Sequence, residues 1–393
     1  MFVLEMLLMG VEGVLALLVA YLLLLTIAAW FAPRRTPARN QAPTHRFLFL
    51  LPAHNEERLL PGLLENVRQL EYPSSLYAVH VVADNCTDRT AVVAREGGAV
   101  VHERFDTTQI GKGYALQWLL QCIWASGEPH DAVIVLDADS VVSSNFLTIM
   151  DARMARGERA IQAYYAVRDP EQSWSASLRS VALAALHYLR PQGRSVLGGS
   201  TGLKGNGMVF ARDIAMQHPW PVSLTEDIEY HMALIMAGER VMFAPDAVVW
   251  AEMPGTLAAS HTQNVRWERG RMEMIRRYVP ELLAAALRRR SFLLFDAAIE
   301  QLIPPFSILA MAGVAVLFGA LLLGSMLGMG LAIFILAGQA VYVLNGLMLA
   351  GVPRKVYQAL LYAPLFIVWK LWLYVRVLLG FDRGGWVRTA RNE

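Results

Sequence analysis

Cysteine is almost missing from this chain: Cys86 and Cys122 are the only two. Neither belongs to a C-x-x-C pair, and no histidine pair stands at ligand spacing. The sequence therefore offers no disulfide framework and no zinc signature, and reduced thiols are expected. Charge is also scarce, at 17% of residues with a net of +2. That balance lacks the bulk basic character of a nucleic-acid binder, so nucleic acid is excluded as a partner. There is no internal repeat, and no low-complexity segment apart from apolar runs.

Apolar residues are abundant, at 55% of 393, above ordinary soluble usage. The excess sits at the two ends. Residues 13–32 form a run long enough to span a bilayer. Glu5 and Glu12 precede it, and Arg34, Arg35 and Arg39 follow it. A signal peptide has the opposite charge order. The positive-inside rule puts the N-terminus outside and the next segment in the cytoplasm. Two further runs, 303–324 and 329–350, enclose an uncharged loop and are flanked by Arg288–Arg290 and by Arg354 with Lys355. They read as a hairpin that enters and leaves from the cytoplasm. Segment 356–380 is apolar but carries Pro364, Lys370 and Arg376. It reads as a re-entrant or in-plane helix with a cytoplasmic tail, with a full span as the alternative. The expected location is the plasma (inner) membrane, multi-pass, in contact with membrane lipids.

The middle of the chain alternates β-rich runs (46–51, 78–83, 132–136, 207–211, 241–250) with helix-like stretches (57–70, 87–96, 114–125). This alternation predicts an α/β domain with a largely parallel sheet, whose ligands bind at the carboxyl ends of the strands. The expected division is 1–43 for the first membrane helix and its basic flank, 44–270 for the α/β domain and 271–302 for interfacial helices. The hairpin then takes 303–350, the re-entrant or transmembrane helix 351–380 and the basic tail 381–393.

The polar motifs fall at predicted strand ends. Val133–Leu136 runs into Asp137-Ala138-Asp139. Carboxylates at i and i+2 share one strand face. With phosphate oxygens they suit Mg²⁺ or Mn²⁺; an Asp-rich turn is the ordinary alternative. Asn55-Glu56 ends the first strand and Asp84 the second, where a base and ribose could be held; Asn55 and Thr87 could equally be helix caps. Gly111-Lys112-Gly113 precedes a helix and could meet an anion, or be a surface loop. Ser223-Leu224-Thr225-Glu226-Asp227 offers a capping box and a carboxylate, Asp227, able to act as general base. Gln263, Arg266 and Trp267 fall on one helical face: an amide, a guanidinium suited to diphosphate and an aromatic plane suited to a sugar ring.

In order, Asp84, Asp137-x-Asp139, Thr225-Glu226-Asp227 and Gln263-x-x-Arg266-Trp267 resemble the motif series of membrane-bound glycosyltransferase family 2. Cellulose, hyaluronan, chitin and poly-N-acetylglucosamine synthases belong there, and ceramide glucosyltransferases share much of the pattern. The resemblance covers nearly the whole chain. It implies a GT-A (Rossmann-like) fold and inverting transfer from a nucleotide-diphosphate sugar, usually a uridine one. Residue by residue, it implies that Asn55, Glu56 and Asp84 contact the nucleotide. Asp137 and Lys112 would lie at the donor, Asp139 would ligate Mg²⁺ or Mn²⁺, and Asp227 would be the base. Gln263 and Arg266 would hold the diphosphate, with Trp267, Asn206 and Glu226 on the acceptor side.

The tail residues Trp386, Arg388, Thr389 and Arg391 resemble the W-G-T-R element of hyaluronan synthases, with altered spacing. A basic tail on anionic lipid is the alternative. The expected function is a polysaccharide synthase. A lipid glycosyltransferase adding one sugar is the second reading, and a non-catalytic nucleotide-sugar receptor the third. The acceptor is thus a glycan or a lipid. So few membrane helices would need a homo-oligomer or accessory subunit to wall a channel.

Overall fold

The computed structural model describes residues 2–37, 42–252 and 261–378. A long apolar helix, α1 (Phe2–Phe31), precedes the α/β domain. That domain runs β1 (Phe47–Ala53), α2 (Leu60–Arg68), β2 (Tyr77–Asp84), α3 (Thr90–Glu96), β3 (Val100–Arg104), α4 (Lys112–Ser126), β4 (Ala132–Val135), β5 (Ser140–Val142), α5 (Phe146–Met154) and β6 (Ala160–Val167). It continues through α6 (Trp174–Leu183), a π-helical turn at Ala184–Leu189 and α7 (Arg190–Leu197). It ends with β7 (Met208–Ala211), α8 (Arg212–Gln217), α9 (Glu226–Ala237) and β8 (Val241–Ala251). The C-terminal part holds α10 (His261–Arg289), α11 (Phe292–Leu302), α12 (Phe306–Leu323), α13 (Met326–Leu349), α14 (Arg354–Tyr357), a 3₁₀ turn and α15 (Ala363–Leu378).

Among the described residues the strands form one sheet in the order β3-β2-β1-β4-β7-β6-β8-β5. Strands β3, β2, β1 and β4 are parallel. They read as near-continuous apolar runs because both faces are covered. Helices α2 and α5 pack on one face through Leu60, Leu63, Phe146 and Met150. Helices α4, α8 and α9 cover the other through Leu116, Leu119, Ile214 and Tyr230.

The sheet is mixed rather than largely parallel, which corrects the expectation. Strand β7 runs antiparallel to both β4 and β6, and β5 antiparallel to β8. Strands β3, β5 and β6 also escape the sequence pattern. Strand β5 has three residues, and β6 (AIQAYYAV) is alanine-rich with a buried glutamine. The first is too short to register, and the second lacks a β-branched run.

Four helical stretches are long and apolar enough to cross a membrane: Val3–Phe31, Phe306–Leu323, Met326–Leu349 and Arg354–Arg376. Helix α1 packs against α13 and α7 through Val19, Leu22, Leu25, Tyr342 and Leu347. The domain is therefore welded to the bundle rather than tethered to it. Both ends of the last stretch touch the domain side. Lys355 pairs with Glu171 at 3.2 Å, while Lys370 lies 3.5 Å from Glu268 and Tyr374 donates to Glu268 at 3.1 Å.

Candidate active site

Strands β1, β2 and β4 deliver three loops to one edge of the sheet. Two of these loops are stitched together. Asn55 adopts a left-handed backbone (φ 56°), as does Asn85 (φ 51°), a conformation asparagine tolerates better than most residues. Asn55 Oδ1 accepts the Thr87 amide at 2.8 Å, and the Glu56 amide donates to Thr90 Oγ1 at 2.8 Å. Asn55 and Thr87 thus bridge loops instead of capping helices: the caps of α2 and α3 fall at Leu59 and Arg89, without side-chain bonds. Asp84 is buried against Arg104, whose Nη1 donates at 2.7 Å. Burial holds the Asp84 pKa above the ordinary carboxylate value even so, with Arg104 opposing it.

The Asp137 and Asp139 loop follows β4. Ala138 between them is buried, and both carboxylates stay partly exposed on the turn between β4 and β5, beyond the strand's own pleat. Lys112, the first residue of α4, donates to Asp137 at 2.5 Å and also to the Gly205 carbonyl. Burial works to lower the Lys112 pKa, but Asp137, Glu226 and Asp227 outweigh it and raise it. Asn206 lies beneath this loop. Its Oδ1 accepts the Asp137 amide at 3.2 Å, and its Nδ2 donates to Ser140 at 2.8 Å. With both ends of the amide occupied and the residue fully buried, Asn206 braces the carboxylate loop.

Helix α9 opens at Glu226 and Asp227. The capping box expected from Ser223 and Glu226 does not form. Thr225 is the cap residue and makes no side-chain cap bond, and Ser223 Oγ is buried without a partner. The two carboxylates instead turn toward the site. A β-carbon on Gly205 would lie 3.5 Å from Asp227 Oδ2 and 3.9 Å from Lys112 Nζ, so Asp227, Lys112 and Asp137 converge around one loop. Burial raises the Asp227 pKa, with Lys112 and Lys204 pulling it back. Burial and then the Asp227 charge push Glu226 up to about 7.

Gln263 and Arg266 stand on the first turns of α10. Trp267 is 41% exposed, and the Arg179 guanidinium lies 5.9 Å from its ring centroid. Helix α10 reaches α9 because Gly270 has no side chain: a β-carbon there would sit 2.2 Å from Thr225 Cγ2. Trp386, Arg388, Thr389 and Arg391 lie outside the described residues.

Several residues at the site carry no sequence motif. Arg179 is one. Tyr165 on β6 is another, its pKa pushed up by burial and then by the charges of Asp137 and Asp139. Lys204, one residue before Gly205, is a third. Arg179 and Tyr165 show in the sequence only as polarity among less polar neighbours, and Lys204 lies in a glycine-rich segment with no signal of its own.

Among the described residues no group of three or more His, Cys, Asp or Glu side chains is arranged to hold a metal ion. The hard oxygen donors of Asp137 and Asp139 nevertheless fit a divalent cation whose remaining ligands come from a bound diphosphate and water.

The strand order and the carboxylates gathered at the strand ends define a GT-A fold. A mannosyltransferase from Pyrobaculum calidifontis, solved with GDP-mannose and Mn²⁺, shares that fold with a TM-score of 0.50 at 18% identity, over 86% of this chain and 98% of its own. The model of the glycosyltransferase-like family 2 matches residues 43–270, more than half of the chain, and the chain belongs to that family. A beta-monoglucosyldiacylglycerol synthase from Nostoc sp. is 30% identical over 250 residues, 61% of this chain and 51% of that protein. A poly-beta-1,6-N-acetyl-D-glucosamine synthase from Staphylococcus aureus is 23% identical over 281 residues, 70% of this chain and 65% of that protein. The matches thus span about half to two thirds of these relatives' lengths.

Proposed function

We propose that the protein moves a sugar from a nucleotide diphosphate to a hydroxyl of an acceptor presented at the cytoplasmic membrane surface, with inversion at the anomeric carbon. The observation that carries this reading is the convergence of Asp227, Lys112 and Asp137 around Gly205. Asp227 takes the acceptor proton. Its raised pKa brings it closer to working pH, which suits a general base. The acceptor oxygen then attacks from the face opposite the departing diphosphate, so one displacement inverts the centre. Lys112 would turn from Asp137 to the phosphate oxygens of a bound donor and stabilise the charge that builds there. Arg266 and Gln263 would grip the diphosphate, and Asn55, Glu56 and Asp84 would border the nucleotide, a uridine one by family resemblance. Asp139, with Asp137, would hold Mg²⁺ or Mn²⁺, which when bound stabilises the leaving diphosphate as a Lewis acid.

The helix packing favours a lipid acceptor taking a single sugar. A β-carbon on Gly338 of α13 would lie 2.4 Å from Val19 of α1, so these two helices leave no room for a glycan between them. A polymer synthase is the second reading. The exposed Trp267 plane favours it as a sugar platform, with channel walls supplied by another copy or an accessory subunit. The basic flanks support a cytoplasmic domain in the inner membrane. The contacts at both ends of 354–376 support an in-plane helix that keeps the tail on that side.

The test is nucleotide release by the purified full-length protein with Mg²⁺ or Mn²⁺ and a panel of UDP- and GDP-sugars, followed by sizing of the product. A single glycolipid supports the first reading and a long polymer the second. No turnover with any donor sinks both and favours a receptor.

A further inference from the structure

A layer of charged side chains separates the catalytic carboxylates from the membrane helices. Arg194 pairs with Asp296 at 2.5 Å, both 2% exposed. Asp296 also accepts from Tyr21 of α1 at 2.7 Å. Arg190 pairs with Glu300 at 3.4 Å and donates to Tyr342 of α13 at 2.8 Å. Arg271 donates to the Ile303 carbonyl ahead of α12. Asp296 and Glu300 are each paired with an arginine, and Glu300 Oε2 is buried with no hydrogen-bond partner among the described residues.

Lys204 lies between this layer and Asp227. Its ammonium feels Glu300, Arg190, Asp227 and Arg194. A β-carbon on Gly202 would lie 3.4 Å from Lys204 Nζ and 4.0 Å from the His231 ring. His231 stands one turn along α9 from Asp227 and bonds Ser200 at 3.0 Å. Lys204 is held by its backbone, whose amide donates to the buried Gln162 at 3.0 Å. Its side chain makes no hydrogen bond and no ion pair among the described residues. An ammonium kept partly buried and unpaired is unfavourable unless an anion joins it.

We propose that Lys204, backed by Arg190 and Arg194, receives the phosphate of a lipid head group and so holds a phospholipid-type acceptor with its hydroxyl at Asp227. The inference rests on the lipid-acceptor reading and gives it a substrate class. The arrangement suits it: Lys204 has the charged layer on one side and Asp227 on the other, so a hydroxyl a few bonds from a phosphate bound there would meet the base. Burial and the neighbouring arginines push the Lys204 pKa down to about 8, so it is largely charged at neutral pH. A phosphate would raise that further.

The experiment compares two probe acceptors that both carry a free hydroxyl, diacylglycerol and phosphatidylglycerol, at equal mole fraction in neutral detergent micelles. Labelled sugar reaching each lipid is measured for the full-length wild type, Lys204→Met and Lys204→Arg. The wild type is expected to favour phosphatidylglycerol by about tenfold or more in kcat/KM, the worth of one charge-assisted contact. Lys204→Met brings the ratio to near unity, and Lys204→Arg keeps it. Loss of the lysine's field at Asp227 slows both acceptors alike, so the ratio isolates the head group. A wild-type ratio near unity, or a preference that survives Lys204→Met, overturns the proposal.

Calorimetric titration with glycerol 1-phosphate and with inorganic phosphate, the donor site filled with UDP and Mn²⁺, provides a readout besides activity. Glycerol 1-phosphate binding that is lost in Lys204→Met supports the site even if neither probe lipid is labelled, an outcome that counts against the lipid-acceptor reading instead. Equal binding in both proteins, or binding of inorganic phosphate alone, overturns the proposal.

Discussion

Lys112 Nζ stands 2.5 Å from Asp137, and the same ammonium reaches the carbonyl of Gly205, the residue that borders Asp227. One cation thereby joins the carboxylate that follows β4 to the Gly205 loop beside Asp227. Replacing it with methionine leaves Asp137 unpaired and removes the charge that restrains Asp227. Lys112→Met is expected to lower kcat/KM by about a hundredfold or more, the scale of losing a group that stabilises transition-state charge. Initial rates of nucleotide release check this, and a rate within threefold of wild type would reject the assignment.

Asp227→Asn keeps the shape of the α9 entrance and removes the base. The expected loss in kcat is about 10²–10⁴-fold, with nucleotide affinity little changed because the residues proposed to hold the donor lie on other loops. The pH profile follows from the raised Asp227 pKa. The reactive form is the carboxylate, so kcat/KM falls as pH drops through a value above the usual aspartate range. An acid limb at or below the ordinary aspartate value would contradict the assignment.

How far the sequence reached can be judged at particular residues. Asp137 and Asp139 were legible as carboxylates following a buried strand, although they stand on the turn beyond it rather than on alternating strand positions. Asp227 was legible by its place in an ordered motif series, although the capping box drawn around it does not form. Lys204 and Tyr165 were not legible, because their significance lies in what the mixed sheet brings beside them. The antiparallel β7 carries the Gly205–Asn206 loop under the β4 carboxylates, and nothing local in GLKGNG announces that pairing. The same holds for His80 and His102. Twenty-two positions apart, they stack with ring centroids 5.4 Å apart because β2 and β3 pair in parallel and set His102 opposite Val82, two residues along from His80.

Glu226 gives a pH dependence of stability. Its folded pKa, about 7, lies above the ordinary 4.5. The folded state therefore holds the extra proton between those values, and stability falls as pH rises across that window. Glu226→Gln removes the titration. The variant should gain on wild type in melting temperature from pH 5 to pH 8, as read by thermal unfolding in detergent. Parallel curves for the two proteins across that range would refute the burial argument.

Gly270 tests the docking of α10 on α9. A β-carbon at this position would overlap Thr225, so Gly270→Val must push apart the helices that carry Trp267 and Asp227. Misplacing reacting groups by about 1 Å can slow catalysis about a hundredfold. Gly270→Val is expected to lose activity on that scale while still inserting in membranes, with Gly270→Ala intermediate. Comparing transfer rates with membrane-fraction yield separates the two effects. Full activity in Gly270→Val would mean that the helix contact does not position the site.

The Arg194–Asp296 pair tests how the domain is fixed to the bundle. Both side chains are 2% exposed, and the carboxylate also receives Tyr21 of α1, so one buried ion pair ties α7, α11 and a membrane helix together. Removing one partner strands the other charge, which costs about 3–5 kcal/mol. Arg194→Met and Asp296→Asn should each lower the unfolding temperature sharply. Replacing both by apolar side chains of similar volume removes the stranded charge and should recover most of the loss, although Tyr21 then lacks its acceptor. The coupling is therefore read from a double-mutant cycle by thermal unfolding in one detergent. Strictly additive losses would mean that the two charges are solvated independently, and that apolar packing of α1 on α7 and α13 alone holds the domain to the bundle.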